Sequence, residues 1–257
     1  MKDQLSGLII DIDGVLITGN QRIPGAIETL TFLAKKNFTF VLVTNTTRKS
    51  LTTIWHQLKG LGFPVEKNQI MTAPVACANW LKEKKAKRIH LLVSGSAVND
   101  FKNFTITSSA PEYIVVGDLG NDLTFDKLNT AFRLIMKGAK LIALQKNRFW
   151  QTARGLSMDA GAIVAALEYA TRKRAILIGK PKKEFFLEAV KILRSLPDEV
   201  AMIGDDLEAD IGGAHNAGLK AIAVRTGKFE NFSLVKSKIQ PDLILDSIAD
   251  LPKFIKE

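Results

Sequence analysis

The chain has 257 residues, 46% hydrophobic and 24% charged, with a formal net charge of +10. This composition excludes a disordered polymer, and the length provides for one large domain or two modest ones. Its single cysteine, Cys77, excludes an internal disulfide and a thiolate metal cluster.

The segment Met1-Lys2-Asp3-Gln4-Leu5 lacks the features of a secretory signal, and no apolar run reaches bilayer-spanning length. A cytoplasmic location with no membrane partner is the expectation. Leu8-Ile9-Ile10 and Phe40-Val41-Leu42-Val43 are short apolar runs of the buried-strand type. Between them, Pro24 to Leu33 has helical spacing, with Pro24 near the first turn and Ile27, Leu30 and Leu33 along one face. Strand, crossover helix and parallel strand make a right-handed unit. Toward the other end, Arg174–Gly179, Val200–Gly204, Ala221–Val224 and Leu243–Leu245 read as strands of the same sheet. Helices Glu184–Leu193 and Leu207–Ala217 lie between them, with Gly218 as a C-terminal stop. The two ends of the chain therefore predict one parallel, doubly wound α/β sheet.

The stretch from Asn45 to Lys180 is too long for a single crossover. It carries strand-like runs His90–Val93, Tyr113–Gly117 and Leu141–Leu144, and helical patterns Asp126–Lys137 and Ala160–Ala170. An inserted α/β domain at 79–173 is expected, flanked by a core of 1–78 and 174–257.

Chemistry-bearing residues gather at strand ends. The first strand closes in Asp11-Ile12-Asp13-Gly14. Two carboxylates so close need a metal or a shared proton, while Gly14 lets the backbone turn and approach a ligand. Gly204-Asp205-Asp206-Leu207-Glu208-Ala209-Asp210 follows another strand and opens a helix. Dipole-favoured helix acids account for Asp206 and Glu208, but less well for Asp205 at the strand tip. A set of hard oxygen ligands suits magnesium, which bridges to phosphate. Thr44 and Asn45 end the second strand with a hydroxyl and an amide, and Lys180 brings a cation. Each alone reads as a turn, a cap or a surface lysine; together they fit anion and magnesium chemistry.

In order and spacing these four groups resemble the motifs of the haloacid dehalogenase superfamily across nearly the whole chain. Asp11 to Gly14 is similar to its first motif, Thr44-Asn45 to the second, Lys180 to the third and Gly204 to Asp210 to the fourth. The short gap between the first two motifs places a large insertion after the second, as in the NagD-like subfamily IIA. The resemblance implies a Rossmannoid core with an inserted α/β C2-type cap that chooses small phosphorylated substrates. It also implies a homodimer through the cap.

By the same resemblance, Asp11 is the nucleophile and Asp13 the acid and then the base. Asp11, the Asp13 carbonyl and Asp205 would hold Mg2+, with Asp206 and Asp210 behind them. Substrate would meet Asp11, Asp13, Gly14, Thr44, Asn45 and Lys180. Asp13 favours phosphoryl transfer over dehalogenation, because an alkoxide leaving group needs a proton. A phosphomutase would use the same residues, and a weakly active scaffold protein would keep the fold without needing all of them.

In the insertion, Asn147-Arg148-Phe149-Trp150 offers a cationic or aromatic contact, although domain core is the simpler expectation for Phe149 and Trp150. Asp159 reads as a helix cap, Trp55 and Trp80 as packing residues, and Cys77 as a small core residue. His56, His90 and His215 have no matching partner for metal or base chemistry. The basic groups Lys82 to Arg88, Arg172 to Arg174 and Lys180 to Lys183 read as a solvated surface. No aromatic ladder interleaves with them, and no nucleic-acid partner is expected. A strand-linked G-x-G-x-x-G is likewise missing, which argues against a dinucleotide-dependent oxidoreductase.

Overall fold

The computed structural model describes residues 5–152, 155–229 and 238–255. The first part of the chain forms β1 (Gly7–Asp11), β2 (Ile17–Thr18), β3 (Gln21–Arg22), α1 (Ala26–Lys35), β4 (Thr39–Thr44) and α2 (Leu51–Gly60). Next come β5 (Ile70–Thr72), α3 (Ala73–Glu83), β6 (Arg88–Leu92), β7 (Thr105–Ile106), β8 (Tyr113–Val116) and α4 (Phe125–Met136). They are followed by β9 (Lys140–Ala143), β10 (Phe149–Thr152), β11 (Gly155–Met158), α5 (Ala160–Thr171) and β12 (Ile176–Leu177). The last are α6 (Lys183–Leu193), β13 (Val200–Gly204), α7 (Gly213–Asn216), β14 (Lys220–Val224) and β15 (Leu243–Leu245).

Contacts divide the chain into one unit of residues 1–44, 55–71 and 180–257 and a second of residues 45–54 and 72–179. The first unit is built on a six-stranded sheet in the order β15-β14-β13-β1-β4-β5. β1 runs parallel to both β13 and β4, and β13, β14 and β15 continue in parallel. Every residue of β1 and β13 is buried, which explains their continuous apolar runs. Because β1 lies between β4 and β13, the strand order reverses there, and the carboxyl ends around it are where an open α/β sheet binds ligands.

The first helix begins later than its sequence pattern predicts. Gly25, at φ +79°, is the cap, so Pro24 precedes the helix. The buried face is Ala26, Thr29, Leu30 and Leu33, with Ile27 only half-buried. The expected helix Leu207–Ala217 is instead a π-helical stretch Leu207–Gly212 followed by α7. Asp206 opens this stretch: its carbonyl accepts from both Asp210 N at 2.8 Å and Ile211 N at 3.2 Å, and its side chain caps Glu208 and Ala209. Gly218, at φ +80°, closes α7 as expected, with Leu219 N donating back to Ala214 O at 3.0 Å.

The second unit holds a five-stranded sheet, β12-β9-β8-β6-β7, whose pairings are all parallel. Alternation along its strands feeds two cores. Tyr113, Val115, Ile142 and Leu144 pack with Ala73, Cys77 and Leu81 of α3. Ile114, Val116, Leu141 and Ala143 pack with Ala131, Leu134 and Ile135 of α4 and Val164 and Leu167 of α5. Each large apolar side chain buried this way contributes about 1.5–3 kcal/mol.

Two expectations are corrected here. The strand at 174–179 belongs to this second sheet, because Ile176 and Leu177 pair with Ile142 and Ala143 of β9. Phe149 and Trp150 are not core: they are 41% and 40% exposed on the two-stranded β10–β11 ribbon, where Arg148 lies over the Phe149 ring.

Asp159 caps α5, accepting from Ala160 N at 2.7 Å, and Gln145 Nε2 donates to the same oxygen at 2.5 Å. Trp80 packs edge-on against Tyr113, and the Trp55 indole donates to Val65 O at 3.2 Å. Cys77 is fully buried, which pushes its thiol above the usual range. His56 is exposed on α2, His90 sits within β6 near Thr107 O, and His215 pairs with Asp242 at 3.0 Å. Among the described residues, no helix is long and apolar enough to cross a membrane.

Candidate active site

Asp11 is the last residue of β1 and is 6% exposed. Its Oδ1 accepts from Ile12 N at 2.9 Å and lies 2.8 Å from Lys180 Nζ. Asp13 stands two residues beyond, exposed, in an isolated bridge with Ile17. Thr44, at the tip of β4, is buried and reaches Asp13 Oδ2 with its hydroxyl at 3.3 Å. Gly14 turns the chain at φ +86°, and a Cβ there would fall 2.1 Å from Asp205 Oδ2.

From the neighbouring strand β13 come Asp205, 4% exposed, and the stretch that carries Asp210, 0% exposed. Asp11, Asp205 and Asp210 each offer an oxygen, and these atoms lie within 4.8 Å of one another. The fold thus draws Asp210 into the carboxylate cluster. Its Oδ1 accepts from Lys180 Nζ at 2.6 Å and its Oδ2 from Asp206 N at 3.1 Å. Asp206 turns aside, capping Glu208 N and Ala209 N at 3.0 and 2.9 Å.

Electrostatics follow from this crowding. Burial, then the charge of Asp210, pushes the Asp205 carboxyl up to about 7. Burial raises Asp11 too, against the pull of Lys180. Burial alone would lower Lys180, but Asp11 and Asp210 outweigh it and hold the ammonium above the ordinary lysine range. When the three carboxylates are ionised, one ammonium leaves two negative charges, which a single divalent cation balances. The donors are all hard carboxylate oxygens, so they fit magnesium.

Asn45 follows Thr44 directly and falls in the second unit, where its Oδ1 lies beside Gly179. Arg148, Trp150 and Asp159 also belong to that unit.

Two polar residues at this site go unread in the sequence. Thr226 Oγ1 donates to Gly14 O at 2.5 Å, and Lys228 Nζ donates to Asp206 Oδ2 at 2.9 Å. Burial works against both partners of that pair, yet each holds the other charged, with Asp206 below and Lys228 above its ordinary value. A signal was present: Val224-Arg225-Thr226-Gly227 ends a buried strand in a hydroxyl and a glycine, much as Val43-Thr44-Asn45 ends in a hydroxyl and an amide.

Comparison with known proteins gives this arrangement its context. The family described as haloacid dehalogenase-like hydrolase matches residues 8–107, and the one described as HAD-hydrolase-like matches residues 177–251. Haloacid dehalogenase-like hydrolase domain-containing protein 2 of Bos taurus is 40% identical over 92% of this chain and 90% of its own length. Phospholysine phosphohistidine inorganic pyrophosphate phosphatase of Homo sapiens is 32% identical over 95% and 92%. Among solved structures, p-nitrophenyl phosphatase from Archaeoglobus fulgidus superposes with a TM-score of 0.92 at 25% identity, covering 97% of this chain and 99% of that one. NagD from E. coli K-12 gives 0.85 at 26% identity, covering 96% and 98%. With strand-end carboxylates, a buried lysine and matches spanning nearly its full length, the chain belongs to the haloacid dehalogenase-like hydrolases, in their NagD-like phosphatase branch.

Proposed function

We propose that this protein is a magnesium-dependent phosphatase for small phosphorylated molecules, with Asp11 as the residue that accepts the phosphoryl group. The observation that carries this reading is the buried group of Asp11, Lys180, Asp205 and Asp210 at the carboxyl ends of two adjacent parallel strands.

An Asp11 carboxylate oxygen attacks phosphorus while the bond from phosphorus to the ester oxygen breaks, leaving an aspartyl phosphate. Asp13, exposed beside the Thr44 hydroxyl, gives its proton to the departing oxygen. The same carboxylate then takes a proton from water as that water attacks phosphorus, which releases phosphate and restores Asp11. Lys180 stays charged and lies 2.8 Å from Asp11, where it offsets negative charge on the transferring group. Thr44 adds a hydroxyl at the same edge.

Asp11, the Asp13 carbonyl and Asp205 would hold magnesium. Both oxygens of Asp210 already accept hydrogen bonds, so it supports the site from behind. When bound, magnesium neutralises charge on the phosphoryl oxygens. The insertion is assigned the choice of substrate, and its Arg148 and Trp150 are exposed. The relatives named above as phosphatases of p-nitrophenyl phosphate and of phospholysine, phosphohistidine and pyrophosphate direct the first substrate panel.

The test is phosphate release from p-nitrophenyl phosphate and that panel, with and without magnesium, in wild type and Asp11→Asn. Magnesium-dependent release that Asp11→Asn abolishes is expected. Release undiminished in Asp11→Asn would overturn the nucleophile.

A further inference from the structure

The turn after β14 touches two separate parts of the acidic site. Thr226 Oγ1 donates to Gly14 O at 2.5 Å, while Gly14 N donates to Ile17 O at 2.7 Å. Gly14 is therefore held on both of its polar groups. A peptide group is planar, so the Ile17 bond to Gly14 N–H sets the direction of the Asp13 carbonyl, while Thr226 holds the next peptide, on the other side of the Gly14 Cα. Two residues further on, the Lys228 backbone N–H donates to Asp205 Oδ2 at 2.7 Å, and its ammonium reaches Asp206 Oδ2 at 2.9 Å. Asp206 in turn holds Asp210 through its own N–H.

Gly227 makes this double contact sterically feasible. At φ +59° it adopts a conformation that side chains rarely take, and a Cβ there would lie 2.1 Å from Asp205 Oδ2 and 2.6 Å from the Gly14 Cα. The backbone of the turn thus lies directly against both Asp205 and Gly14. A turn that merely left the sheet would need neither this closeness nor hydrogen bonds to these two groups.

We propose that the Thr226–Gly227–Lys228 turn is a clamp that sets where the Asp205 carboxylate and Gly14, the residue next to the Asp13 carbonyl, stand, making these three the positioning residues of the magnesium site. The clamp rests on the reading of Asp205 and the Asp13 carbonyl as magnesium ligands. Thr226 and Lys228 touch neither substrate nor metal in this scheme; they act through Gly14, Asp205 and Asp206. Supports of this kind are worth about 10- to 100-fold in metal affinity.

The experiment is calorimetric titration of the full chain with magnesium chloride, without substrate, alongside thermal melting in chelator. Wild type, Gly227→Ala, Thr226→Val and Thr226→Ser are compared. Gly227→Ala is expected to weaken magnesium binding by about 10- to 100-fold and Thr226→Val by about 10-fold, with Thr226→Ser restoring it because the hydroxyl returns. A folded Thr226→Val that binds magnesium as wild type does would overturn the clamp, and so would a lowered melting temperature with unchanged affinity. Should Gly227→Ala not fold, the Thr226 pair decides the matter. Wild type that binds no magnesium would overturn the metal reading itself and the clamp with it, an outcome distinct from bound magnesium that is indifferent to Thr226.

Discussion

Lys180 Nζ stands 2.6 Å from Asp210 Oδ1, with 3% and 0% of the two side chains exposed. The same ammonium lies 2.8 Å from Asp11, so one buried cation serves two buried carboxylates. Charges taken out of water in this way stabilise the fold only while each retains its partner.

Lys180→Met leaves Asp11 and Asp210 without that cation. Breaking a buried pair by removing one partner costs about 3–5 kcal/mol, and the urea midpoint should fall accordingly with little change in slope. Turnover should be lost as well. Because both losses act through one contact, Lys180→Met combined with Asp210→Asn should destabilise by less than the two single changes added together. Strict additivity would mean that the pair is uncoupled.

Two glycines of the first unit should respond oppositely to alanine. A Cβ on Gly204 would lie 2.3 Å from the Asp210 Cβ, inside a packed and charged corner. Gly204→Ala should therefore cost about 1–3 kcal/mol by overpacking and should lower activity by displacing Asp210. Gly60 ends α2 with nothing within 4 Å of its added Cβ. Gly60→Ala should be neutral or should stabilise by about 0.4–1 kcal/mol through the unfolded chain. Parallel urea titrations check both.

The contrast between these glycines shows what a sequence can and cannot reveal. Buried parallel strands are legible because Leu8 to Ile10 and Val200 to Ile203 are apolar on both faces, and strand ends are legible because Asp11, Thr44 and Asp205 interrupt those runs. Ile176-Leu177 is equally apolar, but composition does not say which of two sheets a short strand will join. The π-helical stretch is hidden for a different reason: the Asp206 carbonyl accepts the ordinary helical bond from Asp210 N and a further one from Ile211 N, and no residue pattern announces the second. Lys228 and Thr226 look like loop residues until the fold brings them to positions more than 20 and 200 residues away in sequence. The exposed ribbon of Phe149 and Trp150 defeats the rule that aromatic pairs are core.

Glu168 should contribute a pH-dependent share of stability in the second unit. Its carboxylate accepts from Lys146 Nζ and from Ala175 N, each at 2.8 Å, with Arg174 at 4.0 Å. Burial would push this group up, but the Lys146 and Ala175 bonds outweigh it and hold it below the usual glutamate value. A folded-state value below the unfolded one means stabilisation that is complete above the unfolded value and is lost as pH falls through the folded one. Glu168→Gln should therefore cost about 1–3 kcal/mol near pH 7, and the gap to wild type should close steadily below about pH 5. A gap that is constant from pH 7 to pH 3 would contradict the charge-based account.

Asp13 offers the sharpest test of chemistry, because its two proposed duties depend differently on the leaving group. Protonating the departing oxygen matters greatly for an alkyl phosphate and little for p-nitrophenyl phosphate, whose phenolate departs readily without a proton. Deprotonating water in the second step matters equally for both, since each passes through the same aspartyl phosphate. Asp13→Asn should therefore lower kcat for an alkyl phosphate by about 10^2- to 10^4-fold with no rapid first phase. With p-nitrophenyl phosphate the variant should still show a burst of phenolate, close to one equivalent of enzyme, before a slow steady state. The Thr44 hydroxyl, 3.3 Å from Asp13 Oδ2, keeps a partner in the asparagine variant, so the local geometry should survive the change. A burst with both esters would remove the acid duty from Asp13. A burst with neither, alongside wild-type magnesium binding, would show that attack on phosphorus itself has failed, and Asp13 would then be read as holding Asp11 and the phosphoryl group in line rather than moving protons.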